Sequence, residues 1–152
     1  MKTLVRKDTN ISLYLWADNI TVNIGSESTV VGDPSNPTML IMDCDTSNAV
    51  LRTSVDDKSD WYGWKYKHDG SAWSTNADWV GRRGLRADID DSVTTIDVGN
   101  SNAFTSSGTV QIDDEKITYT GVDGTNLTGC TRGAASTSAA SHTAGDSVTQ
   151  VA

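Results

Sequence analysis

The sequence predicts an all-β protein of two small antiparallel modules, each sandwich-like or barrel-like, joined by a short linker. No segment shows the i, i+3, i+4, i+7 spacing of apolar residues that an amphipathic helix needs. Short runs rich in Val, Ile, Thr, Tyr and Trp instead alternate with turn residues such as Asn, Asp and Gly, which is typical of many short strands. The division in two follows from composition, because all five Trp residues precede position 80.

The first module is predicted to span residues 1–80. Asp18-Asn19 and Asp69-Gly70 lie between strand-like runs, and these residue types tolerate the positive φ of tight turns. The second of these turns makes residues 66–73 the clearest hairpin of the chain. Strands are predicted at residues 3–7, 11–16, 19–24, 39–43, 49–53, 63–68 and 71–74.

Residues 81–91 are predicted to form the linker, because this segment is short, rich in Gly and Arg at first, and acidic at its end. The second module then spans residues 92–152. Within it, segment 108–121 alternates apolar and polar residues on both sides of an Asp113-Asp114 turn, as a hairpin does. Residues 147–151 fit a closing strand. Modules of this size lie near the lower limit for an independent core, so we expect neighbouring chains to complete them.

Composition excludes several classes of partner. The chain has 152 residues and a formal net charge of −8, whereas contacts to nucleic-acid phosphates require clustered Lys and Arg. The same charge argues against an anionic membrane surface, and no run approaches the roughly 18 apolar residues of a membrane span. The charged N-terminus lacks the apolar stretch of a signal peptide. We therefore expect a soluble chain made in a cytoplasm.

The residues offer few groups for catalysis or metal binding. Cys44 and Cys130 lie far apart without the close spacing of zinc ligands, so reduced thiols are expected rather than a long-range disulfide. The two histidines, His68 and His142, lie in different modules, and His68 is expected to be an exposed residue at a strand end. The acidic pairs, including Asp113-Asp114, fit turns better than a calcium loop. No catalytic residue, cofactor or metal is predicted.

An aromatic cluster is the main local feature of the first module. Alternation would place Trp64 and Tyr66 on one face of the hairpin, with Trp73 across from one of them. Three interpretations stay open: the rings form the core, they anchor a protein interface, or they stack against sugar rings. The cluster comprises Trp61, Tyr62, Trp64, Tyr66, Trp73 and Trp79.

Three segments of the second half carry a resemblance to a known family. Residues 108–121 read GTVQIDDEKITYTG, residues 127–133 read LTGCTRG, and residues 142–145 read HTAG. This order resembles a small β-module that recurs in virion proteins of tailed bacteriophages. The first half is similar, through residues 60–66 and 76–80, to short structural proteins of phages that infect marine cyanobacteria.

The resemblance singles out Glu115, Tyr119, Arg132 and His142 as the spaced polar and aromatic residues of the module. We interpret them as a structural network, because a Glu carboxylate can take two hydrogen bonds from an Arg fork. His142 would then fix the long Ser-, Ala- and Thr-rich loop that ends near it. An acid–base role for Glu115 and His142 is chemically allowed, but no nucleophile accompanies them.

The resemblance implies a non-enzymatic structural protein of a tailed-phage virion, synthesised in the host cytoplasm. Its expected place is an accessory position on the tail, baseplate or fibres, held by contacts with other virion proteins and present as a homo-oligomer or in multiple copies. One alternative is a capsid decoration protein. Another is a carbohydrate-binding module that contacts a host-surface glycan during adsorption. A hydrolase is the weakest alternative.

Overall fold

A computed structural model describes residues 1–152 and confirms the all-β class. The chain forms sixteen strands and one short 3-10 turn, Ser101–Ala103. It divides into two compact units, Met1–Trp79 and Val80–Ala152, called unit 1 and unit 2 below. None of its helical segments has the length and apolar character needed to cross a membrane.

Unit 1 contains eight strands in three antiparallel sheets. The first sheet has the order β2-β1-β6, the second β3-β4-β5, and β7 and β8 form a hairpin across the Asp69-Gly70 turn. The strands are β1 Lys2–Arg6, β2 Ser12–Trp16, β3 Val22–Ile24, β4 Thr29–Asp33, β5 Asn36–Ile41, β6 Ala49–Arg52, β7 Tyr66–His68 and β8 Trp73–Thr75.

The core of unit 1 is largely aliphatic. Strand β1 is central in its sheet, and Leu4 lies across from Tyr14 on β2 and Leu51 on β6. Burial of these apolar side chains is the main favourable term for a unit of this size. The buried core residues are Leu4, Leu13, Val22, Val31, Ile41, Cys44 and Ala49.

Strand β4 is absent from the predicted strands, and β5 begins earlier than predicted. Gly32 has a φ of +91° and lies where the register with β5 shifts, so a residue typical of a turn here forms a β-bulge. Pro37 pairs with Gly32 at the start of β5. Strand β5 lies at the sheet edge, where proline is tolerated because no partner needs its N–H.

Unit 2 contains two antiparallel sheets. The larger has the order β15-β12-β11-β16-β9 and the smaller β10-β14-β13. Fully buried Val110 on β11 lies across from fully buried Ile117 on β12, and Ile96 lies across from Leu127 in the smaller sheet. The strands are β9 Arg82–Gly84, β10 Thr95–Asp97, β11 Gly108–Ile112, β12 Glu115–Tyr119, β13 Gly121–Val122, β14 Asn126–Thr128, β15 Thr131–Ala134 and β16 Ser147–Val151.

The predicted linker over residues 81–91 needs correction, because most of this segment is integrated into unit 2. Strand β9 pairs with β16 at the edge of the larger sheet, and Leu85 is buried. Ile89 exchanges two backbone hydrogen bonds with His142, at 2.9 and 3.0 Å. Arg82 and Arg83, which indicated a flexible linker, lie on this edge strand, where charged side chains protect the edge from pairing with other chains.

Gly81 provides a test of this integration. A Cβ atom at Gly81 would lie 2.6 Å from the backbone oxygen of Ala103, whereas one at Gly84 would meet nothing closer than 3.8 Å. We therefore expect Gly81→Ala to destabilise unit 2 by about 1–3 kcal/mol through overpacking, with Gly84→Ala as the nearly neutral control. All Trp residues lie in unit 1, so circular dichroism follows both units while Trp fluorescence follows unit 1 alone. The loss of stability in Gly81→Ala should therefore be seen by circular dichroism and not by Trp fluorescence. Equal stabilities of Gly81→Ala and Gly84→Ala would contradict the prediction and would indicate a free linker.

Candidate functional site

The structure brings Glu115, Arg132 and His142 together in unit 2. Glu115 opens β12 directly after the Asp113-Asp114 turn, and it is 2% exposed. Arg132 lies on the neighbouring strand β15. His142 is held next to them by its backbone bridge to Ile89. Three segments that are distant in sequence thus converge on one buried carboxylate, named here the Glu115 staple.

Both oxygens of Glu115 are saturated with hydrogen bonds. Arg132 donates from Nε to Oε1 at 2.9 Å and from Nη2 to Oε2 at 2.8 Å, in the bidentate arrangement. The backbone N–H groups of Gly133 and Ala140 donate at 2.8 and 3.1 Å. His142 Nε2 lies 2.8 Å from Oε2. The carboxylate is therefore fully compensated for the loss of water.

These contacts set the ionisation of Glu115. Burial opposes the charged form, but the hydrogen bonds from Arg132, Gly133, His142 and Ala140 outweigh it and lower the pKa of Glu115 to about 2. The side chain is therefore an anion throughout the physiological range. A carboxylate with so low a pKa and no free lone pair has the properties of a structural group rather than a general acid.

Arg132 extends the Glu115 staple to two further segments. Its Nη1 donates to the backbone oxygen of Asp90, and its Nη2 donates to the backbone oxygen of Ala140 at 2.6 Å. One guanidinium therefore connects β12, the irregular loop that contains Ala140, and the segment that precedes β10. A Lys at this position would lack the planar fork that makes these contacts simultaneously.

Asp113 is a partner of His142 that sequence reasoning assigned to a turn alone. Its Oδ2 lies 3.0 Å from His142 Nδ1, on the side of the ring opposite to Glu115. Asp113 does occupy the predicted turn, with a φ of +49°. The register of the β11–β12 hairpin could have indicated this contact. Ile112 pairs with Glu115, so Asp113 lies in the turn directly beside Glu115 and close to the histidine that Glu115 binds.

Tyr119 lies apart from the Glu115 staple, although the sequence grouped the two. It is at the other end of β12, where its hydroxyl contacts the backbone oxygen of Thr105 at 3.1 Å and the Thr105 hydroxyl at 3.0 Å. Its ring packs edge-on against Phe104, with 6.5 Å between centroids. Burial raises the pKa of Tyr119. It is a core residue that anchors the loop before β11.

The aromatic cluster of unit 1 is neither a closed core nor a flat exposed surface. Tyr66 is buried and donates its hydroxyl hydrogen to Asp60, whereas Trp64 is 48% exposed. The predicted sharing of one hairpin face by these two rings is wrong, because Trp64 precedes β7 in a turn with a φ of +71°. The half-buried members are Trp61, Tyr62, Trp73 and Trp79.

His68 also differs from the prediction. It is 2% exposed rather than an exposed strand end, and it lies across from Trp73 in the β7–β8 hairpin. The two rings meet edge-on with centroids 4.7 Å apart, and His68 Nδ1 accepts a hydrogen bond from Gly70 N–H at 3.1 Å. Burial lowers the pKa of His68. The residue therefore completes the hairpin turn as a neutral acceptor.

Unit 1 carries a cavity that the aromatic cluster does not explain. It has a volume of about 580 Å³ and lies between β2 and the β4–β5 pair. Trp16, whose ring stacks on Tyr14 with centroids 5.3 Å apart, contributes to its wall together with Ile20 and Met39. Polar groups at the same cavity are Asn19, Thr21, Asp33 and Thr38.

Both cysteines are free and buried, Cys44 in unit 1 and Cys130 in unit 2. Burial raises the pKa of Cys44 and raises that of Cys130 to about 11. The thiolate is the reactive form of cysteine. Neither side chain therefore has the properties of a nucleophile.

Removing the charge of Glu115 tests the Glu115 staple. Glu115→Gln leaves Arg132 buried without its anion and places an amide against its donors, so unit 2 should lose about 3–5 kcal/mol of stability. The matched control is Asp114→Asn in the same turn, where the side chain is exposed. Circular dichroism in a urea titration measures the loss. A change as small as that of the control would contradict the structural role.

The low pKa of Glu115 predicts the pH range over which the Glu115 staple stabilises unit 2. Its folded pKa of about 2 lies below its ordinary value of 4.5, so protonation favours the unfolded chain. The stability difference between wild type and Glu115→Gln should be complete above pH 4.5 and shrink as the pH falls toward 2. Urea titrations of both proteins across this range provide the measurement. A constant difference would contradict the prediction.

The chain was compared with protein families, curated proteins and solved structures, and none of them matches it. The resemblance of residues 108–145 to a phage virion module therefore stays a prediction. The function has to be argued from the geometry and chemistry of the two units themselves.

Proposed function

We propose that this chain is a non-enzymatic structural protein of a tailed-phage virion, an accessory subunit that attaches to the tail, baseplate or fibre region through protein contacts. The observation that carries the proposal is the apolar edge strand β5 of unit 1. The resemblance of segment 108–145 to a virion module supplies the virion context. The chemistry of the Glu115 staple supports a structural rather than a catalytic role for unit 2.

Strand β5 has the properties of a contact surface. It lies at the edge of the β3-β4-β5 sheet, so one side of its backbone faces no strand of its own sheet. Met39, Leu40 and Met42 are 41%, 51% and 66% exposed in this region. Residues 36–42 contain no charged side chain. An uncharged edge strand with exposed large apolar residues favours pairing with another chain.

The buried polar groups of unit 2 also support a structural rather than a catalytic role. The polar groups that an enzyme would direct at a substrate are here directed at each other, because Glu115 has both oxygens occupied and Arg132 binds two backbone oxygens in addition. Such a buried network makes the unit rigid.

A charge on β5 tests the proposed attachment. Leu40→Lys should reduce the amount of the chain that co-purifies with phage particles by about tenfold or more, because an ammonium buried in a contact without a partner is costly. Val80→Lys is the matched control, since Val80 is a similarly exposed apolar residue outside β5. Equal incorporation of the two variants would contradict attachment through β5.

The position in the particle distinguishes the tail from the capsid. A density map of the wild-type particle at a resolution that traces strands would place unit 1 against a tail, baseplate or fibre protein under our proposal. Unit 1 seated on the capsid shell would instead identify a decoration protein. Absence of the chain from purified particles would contradict both.

The unit 1 cavity favours carbohydrate binding as a second candidate function. An aromatic wall with several polar groups nearby is the usual composition of a small-ligand site, and the apolar faces of sugar rings stack on indole rings. Under this alternative a host-surface polysaccharide would quench or shift Trp fluorescence, and Trp16→Ala would abolish the affinity. Trp64→Ala is the control, because Trp64 is exposed and does not line the cavity.

A further inference from the structure

Three side chains that could bind a metal ion converge beside the Glu115 staple. Their ligand atoms, one oxygen each of Asp113 and Asp146 and a ring nitrogen of His142, all lie within 4.8 Å of one another. They come from three segments: the turn between β11 and β12, the bridge to Ile89, and the residue directly before β16. His142 is buried, whereas the carboxylates are accessible from solvent. One ligand is therefore fixed in the protein interior, and an ion could reach the other two from solvent.

The contacts of the imidazole direct one nitrogen toward the carboxylates of Asp113 and Asp146. His142 Nε2 lies 2.8 Å from Glu115 Oε2, which fixes the orientation of the ring. On the other side of the ring Nδ1 lies 3.0 Å from Asp113 Oδ2, and this nitrogen is the one that would bind a metal ion in exchange for a proton.

The ligand atoms lie close enough together for one metal ion. Zinc takes its ligands in tetrahedral geometry, and bonds of about 2.0–2.1 Å then separate a nitrogen from an oxygen by roughly 3.3–3.4 Å. His142 Nδ1 and Asp113 Oδ2 lie 3.0 Å apart, at the distance of a hydrogen bond, so an ion between them would widen this pair only slightly. Asp146 is close enough to supply a third ligand, and its backbone partner, Thr143 N–H, holds the carboxylate in place at 2.8 Å.

The surrounding charges also favour a divalent ion. Carboxylates outnumber cations around the imidazole, because Asp113, Glu115 and Asp146 lie near one cation, Arg132. Such an excess of negative charge attracts a cation. In addition, a carboxylate that accepts from the second nitrogen of a metal-binding histidine is a recurring feature of metal sites. Glu115 has this position.

We propose that Asp113, His142 Nδ1 and Asp146 bind a divalent transition-metal ion of the zinc class, with water in the remaining positions. The ion would connect the β11–β12 turn to the segment that leads into β16. It would therefore extend the Glu115 staple to the surface of unit 2. The site does not depend on the proposed virion function, since all its ligands belong to one unit of one chain.

Calorimetry with Zn²⁺ tests the site on the full chain without a histidine tag, after treatment with a chelator and dialysis at pH 7.5. We expect one ion per chain and an increase in the melting temperature of unit 2, because an ion that binds the folded state stabilises it. Asp146→Asn should weaken binding at least about tenfold. It keeps an oxygen that can accept from Thr143, and circular dichroism verifies that it folds.

Asp114→Asn is the matched control, because Asp114 lies in the same acidic turn but outside the cluster. Unchanged binding in this variant together with weakened binding in Asp146→Asn supports the site. No heat of binding to the wild type overturns the proposal and leaves a shared proton between His142 and Asp113. Equal binding by all three proteins also overturns it, since the ion would then bind elsewhere on the acidic surface.

Discussion

The buried carboxylate of Glu115 is the constraint on which the structure of unit 2 depends. A charge removed from water is tolerated only where hydrogen bonds replace the lost hydration. Arg132 and the N–H of Gly133 supply these bonds from β15, and His142 and the N–H of Ala140 supply them from the loop that follows β15. The requirement of one side chain therefore fixes the course of a loop that has almost no regular structure.

Unit 1 is about as small as unit 2, but a different set of residues stabilises it. Its core is aliphatic, and its Trp and Tyr side chains lie mostly half-buried around it. Aromatic rings at such positions cover much apolar surface without closing the unit completely. The large apolar side chains of unit 1 that stay exposed are concentrated at β5, next to the cavity that Trp16 and Met39 line. The buried core and the exposed apolar side chains thus lie in different parts of the same unit.

Features that depend on local alternation of apolar and polar residues could be predicted from the sequence. The all-β class and the β11–β12 hairpin follow from residues whose pattern agrees with their surroundings. Strands β4 and β9 escaped prediction because Gly32 and Gly81 are typical of turns, whereas their actual roles are a bulge and a close approach to Ala103. The burial of His68 and the contact of Asp113 with His142 depend on tertiary neighbours, which no local pattern contains. Grouping Tyr119 with Glu115 rested on resemblance alone.

The burial of Cys44 and Cys130 has a consequence for the protein at high concentration. Disulfide exchange between neighbouring molecules begins with an accessible thiolate. Here both sulfurs lie inside their units and remain protonated near neutral pH, because burial raises their pKa values. The folded chain can therefore be concentrated in an oxidising medium without covalent cross-linking through these two cysteines.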